Sequence, residues 1–100
     1  MAYCRTLIPM SPSASPGETL RPVLESLGLD VEQPDPRTLM AFERPCAGRR
    51  TSDYVRVWAD WSDIASTGEL WLETLSGECM AHSRTRCASV LEAICGSLSR

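Results

Sequence analysis

The stretch 54–61, YVRVWADW, and its successor 69–75, ELWLETL, decide the fold. Both alternate with a period of two, which marks strands with one buried face. In the first, Val55, Val57 and Ala59 point one way; Tyr54, Arg56, Trp58 and Asp60 point the other. In the second, Leu70, Leu72 and Thr74 oppose Glu69, Trp71, Glu73 and Leu75. The aliphatic sets belong to a core, and the aromatic and charged sets to an uncovered sheet face. The turn-rich segment 62–68 between them makes a hairpin the simplest arrangement. In a symmetric hairpin the numbers of paired residues sum to about 129, with Trp58 opposite Trp71, Arg56 opposite Glu73 and Val57 meeting Leu72.

Working outward, 38–44 (TLMAFER) reads as a strand because it is short and flanked by Pro36 and Pro45. Residues 29–32 form a possible short strand before it, and 78–82 a possible return strand after the Ser76-Gly77 turn. At the N-terminus, 3–8 reads as a strand and 9–17, PMSPSASPG, as a Pro/Ser-rich loop. Leu20, Val23, Leu24 and Leu27 then recur at helical spacing. A helix capped by Thr19 keeps Pro22 in the first turn. A start at Ser15, with Pro16 next and Glu18 completing a capping box, places Pro22 in the interior at a cost of about 3 kcal/mol. The later start, or a one-turn prelude to it, is therefore expected, with Gly28 as a left-handed C-terminal cap. Cys87, Val90, Leu91, Ile94 and Leu98 give a closing amphipathic helix that begins near Ser83 or Thr85 and packs through Leu91, Ile94 and Leu98.

The order is roughly β-α-β-β-β-α. Strand runs with short connections and two one-sided helices predict a single α+β domain over 1–100: a two-layer sandwich with a mainly antiparallel sheet of 4–5 strands and both helices on one face. The α-β-β-β-α portion resembles a double-stranded-RNA-binding domain in element order. Residues 53–78, however, carry six acids and one arginine, a local balance of −5. Nucleic-acid binders need the opposite sign, and the whole chain has a net charge of −3. No nucleic acid is expected as a partner.

Composition removes further chemistries. All ten basic residues are arginine, with no lysine and no asparagine, as GC-rich bacterial coding produces. A Schiff-base lysine and a P-loop lysine are therefore impossible. His82 is the only histidine, which excludes HExxH and three-histidine zinc sites. A nucleophile–base pair would use His82 or do without histidine; an enzyme reading would pair Cys79 or Ser83 with His82 and an acid such as Glu78, yet strand neighbours point to opposite faces. A non-catalytic protein without a cofactor is the expectation. The five cysteines (Cys4, Cys46, Cys79, Cys87, Cys95) form no CxxC pair, and their odd count fits reduced thiols in a cytoplasm. No metal is expected, although Cys79, His82 and Cys87 have a loose Cys/His spacing, and Asp60 with Asp63 reads as turn-capping before cation-binding. No apolar run reaches the roughly 20 residues that span a bilayer, so no membrane partner is expected.

Two surfaces remain as candidates. Tyr54, Arg56, Trp58, Trp71 and Glu73 place on one open face the residue types enriched at interface hot spots. They predict a protein partner or a homodimer. The alternative is an anion- or phosphometabolite-binding site, binding domain or enzyme, built by His82, Ser83, Arg84, Thr85 and Arg86 at the start of the last helix. The plainer reading of those arginines is ion pairing with Glu73 or Glu78.

Overall fold

A computed structural model describes residues 2–10, 15–44, 54–77 and 85–98. Five strands, β1 (Ala2–Pro9), β2 (Leu29–Asp35), β3 (Thr38–Glu43), β4 (Arg56–Asp60) and β5 (Glu69–Ser76), form one antiparallel sheet in the order β1-β5-β4-β3-β2. Helices α1 (Pro16–Ser26) and α3 (Arg86–Leu98) pack on one face, and α2 (Ile64–Thr67) is a single turn between β4 and β5. The predicted α+β class and two-layer arrangement are present. Residues 78–82 lie outside the described residues, as do Cys46 and Cys79.

The pairing of β1 with β5 sets the first strand in sequence beside the last of the described strands. β1 and β2 run in the same direction at opposite edges of the sheet, and α1 lies between them in sequence. It settles on β2 and β3, while α3 covers β1 and β5, and the two helices touch. The core between them comprises Leu20 and Leu24 of α1, Ile94 of α3, and Leu29, Leu39, Ala41, Val57, Ala59, Leu70 and Leu72 of the sheet. Each fully buried leucine contributes about 1.5–3 kcal/mol relative to an exposed one. In α3 the deepest side chains are Ile94 and Cys87, both without exposed surface. Leu91 and Leu98 pack half-buried at the margin instead of being fully enclosed.

The first helix departs from expectation. It begins after Ser15, not at Thr19, and Pro22 lies inside it. The earlier start lines up Pro16, Leu20 and Leu24 as one buried stripe at four-residue spacing. It also makes the Ser15 carbonyl an acceptor for both the N–H and the hydroxyl of Thr19, at 3.0 Å each. These gains offset the break at Pro22, which is exposed together with Glu18, the residue whose carbonyl loses its partner. Glu18 completes no side-chain capping box at Ser15. Gly28 ends the helix as predicted, at φ 80°.

The edges are irregular. β2 contains Pro34 and a register shift between Glu32 and Asp35, both tolerable because its outer edge needs no partner. The Asp35 carboxylate accepts the Arg37 N–H at 2.8 Å and closes the turn into β3.

Candidate partner-binding face

Opposite the helices, the register lays side chains out in rows. One row runs Tyr3, Leu75, Arg56, Phe42; the next Arg5, Glu73, Trp58, Met40; the third Leu7, Trp71, Asp60, Thr38. The predicted faces of β4 and β5 are correct, but the predicted pairs are displaced by two residues. Trp58 stands across from Glu73 and not Trp71; Arg56 faces Leu75 and not Glu73; Val57 meets Thr74 and not Leu72. A two-residue slip leaves every side chain on its face, so alternation alone cannot detect it. The connection sets the register: it includes the α2 turn, held by the Ile64 carbonyl accepting the Gly68 N–H at 2.8 Å. Trp58 and Trp71 are consequently diagonal neighbours, both half-buried.

Local contacts fix this geometry. The Trp71 indole N–H donates to the Glu73 carboxylate. The Arg5 guanidinium lies 5.3 Å from the centre of the Trp71 ring, within cation–π range. Asp60 accepts the Ser62 N–H at 2.8 Å, the turn-capping role foreseen for it. Arg37 donates to the Ser62 carbonyl at 2.9 Å and ties the β4–β5 connection to the β2–β3 turn. Between the two indoles lies an open concavity of about 380 Å³, rimmed by Asp60, Asp63, Glu69 and Glu73 and flanked by Leu7.

Of the five residues predicted for partner binding, Trp58, Trp71 and Glu73 come together at this concavity. Arg56 is exposed on the same face one row away, and Tyr54 sits half-buried just before β4. Sequence reasoning missed the contribution of β1, namely Tyr3 (38% exposed), Arg5 and Leu7 (50% exposed), and that of Met40 and Phe42 on β3. The alternation Tyr3, Arg5, Leu7 was visible, but no signal placed that strand beside β5.

Of the alternative anion site, His82, Ser83 and Arg84 lie outside the described residues. Thr85 caps α3, its hydroxyl accepting the Ala88 N–H at 3.3 Å. Arg86 pairs with Glu43 of β3, a residue other than the acids expected from sequence proximity. Glu43 also accepts the Val55 N–H at 2.8 Å, so this carboxylate joins β3, the approach to β4 and α3. Among the described residues, no group of three or more His, Cys, Asp or Glu is arranged to hold a metal ion. None of their helices is long and apolar enough to cross a membrane. Comparison with known protein families, curated proteins and solved structures gives no match.

Proposed function

We propose that this chain is a non-catalytic interaction or regulatory protein whose partner docks on the open sheet face around Trp58 and Trp71. The observation that carries the reading is the pair of half-buried indoles flanking a concavity on the face that α1 and α3 leave uncovered. Indoles anchor interfaces because they bury a large area with only two side-chain torsions, and arginines because the planar guanidinium both stacks and donates several hydrogen bonds. Leu7 and Tyr3 extend the apolar surface along β1, and Arg5, Glu73, Arg56 and Asp60 interleave charged groups with it on the same face. The start of α3 offers less to a ligand, since Arg86 already serves Glu43.

Photo-crosslinking tests this reading. A benzophenone side chain at position 56, in cells that express the protein, captures a discrete adduct, which disappears when Trp58→Ala and Trp71→Ala are combined. Light scattering of the wild type and the double variant assigns the adduct to a second copy or to another protein. A monomer that yields no adduct overturns the reading.

A further inference from the structure

We propose that the concavity between Trp58 and Trp71 receives an arginine side chain from a basic segment of a partner protein; the inference rests on the docking reading above. Its rim supplies four carboxylates, Asp60, Asp63, Glu69 and Glu73, and no basic side chain lines it. Among the described residues no ion pair reaches any of the four. Two are already oriented from within the fold, Asp60 by the Ser62 N–H and Glu73 by the Trp71 indole. Each keeps acceptor capacity, since an ionised carboxylate takes up to about four hydrogen bonds.

The arrangement favours an organic cation. The carboxylates surround the concavity without converging as metal ligands do. The two indoles flank it, and an indole face attracts a guanidinium through its quadrupole. Arg5 over Trp71, at 5.3 Å, shows the same chemistry satisfied inside the chain. A guanidinium is planar, weakly hydrated and able to bind carboxylates in a fork, so it suits a stacked, acid-rimmed site better than a lysine ammonium. The volume of about 380 Å³ accommodates one such side chain with the adjoining backbone of an extended segment. A second copy is a poorer occupant, because a two-fold contact brings the same four carboxylates against themselves.

The test uses the full chain and a fluorescein-labelled Gly-Arg-Gly-Arg-Gly peptide, read by fluorescence polarisation at low salt. Twin peptides carry citrulline, which has the shape without the charge, or lysine. The arginine peptide is expected to bind with a dissociation constant below about 1 mM. The citrulline twin binds at least tenfold more weakly, and the lysine twin several-fold more weakly. The variant Asp63→Asn/Glu69→Gln, isosteric and near the surface, loses at least tenfold while its circular dichroism stays unchanged. The control Glu18→Gln/Glu25→Gln removes the same charge from exposed positions on α1, on the other face of the sheet, and keeps wild-type affinity. Equal losses in the two variants, equal binding of the citrulline twin, or no binding of the arginine peptide each overturn the inference. A crosslinked adduct at position 56 that persists in any of those cases leaves the docking reading standing without the arginine. Absence of both adduct and binding removes both.

Discussion

The carboxylate of Glu73 accepts the indole N–H of Trp71, two residues away on the same face of β5. This bond holds one wall of the concavity in place while Arg5 lies over the ring. Trp71→Phe keeps an aromatic ring and removes the donor; Glu73→Gln keeps the shape and removes the charge. A double-mutant cycle in urea is expected to give a coupling of about 1 kcal/mol, reduced from a fully buried charged bond because both groups are half-exposed. A coupling indistinguishable from zero means that packing alone sets the indole.

Ile94 has no exposed surface, whereas Leu91, one turn earlier, is half-buried. Ile94→Ala is therefore expected to cost about 2–5 kcal/mol as a core truncation, and Leu91→Ala roughly half as much. Denaturant melts decide the order. If Leu91→Ala is the more damaging, α3 is rotated about its axis from the position described.

The architecture was legible because β4 and β5 alternate cleanly and α3 repeats cleanly; those patterns sort core from surface. Three things were not legible, each for a physical reason. The β4–β5 register was hidden because a slip of two preserves every face. The start of α1 was misjudged because the local penalty at Pro22 is visible in sequence, while the burial of Pro16 beside Leu20 is tertiary. Glu43 looked like an ordinary polar strand end; its role depends on Arg86, which approaches only once α3 docks. The candidate face was half legible: Trp58, Trp71 and Glu73 were placed on it, but not the β1 side chains beside them.

Glu43 and Arg86 are 15% and 35% exposed, so water screens their pair only in part. Glu43→Ala leaves the guanidinium without this acceptor and orphans the Val55 N–H. The expected cost is about 1–3 kcal/mol, below the 3–5 kcal/mol typical of breaking a fully buried pair. Glu43→Gln retains an acceptor for Val55 and costs less. Equal costs for the two variants in a urea titration would assign the whole effect to the lost charge.

Thr38 is 6% exposed, and its hydroxyl oxygen has no hydrogen-bond partner among the described residues. It stands across from Asp60 at the edge of the candidate face. Thr38→Val preserves shape and strand preference while removing the buried polar atom. An increase in stability of up to about 1 kcal/mol is expected, seen as a higher Tm. A clear loss would reveal a partner for the hydroxyl.

The thiols of Cys4 on β1 and Cys87 on α3 lie 3.7 Å apart between sheet and helix, 83 positions distant in sequence. Cys87 is fully buried, and its carbonyl accepts the Thr74 hydroxyl at 2.9 Å. Burial pushes the Cys4 thiol up from its ordinary value of 9.0, and the neighbouring Cys87 sulfur adds to that, against a smaller opposing hydrogen bond from Thr74. Burial raises the Cys95 thiol in the same direction. An acid whose pKa is raised by folding holds its proton more tightly in the folded chain than in the unfolded one. Its contribution to stability is therefore complete below 9.0 and is lost as pH climbs from there through the higher folded value. Unfolding free energy should decline above pH 9 in the wild type and decline less in Cys4→Ser, whose hydroxyl does not titrate in that range. Native alkylation should follow the same order: Cys4, half-buried, reacts slowly and faster only well into the alkaline range, and Cys87 reacts only on unfolding. Rapid labelling of Cys4 at neutral pH, or an unchanged pH profile in Cys4→Ser, would place that thiol in water and detach β1 from the helix that covers it.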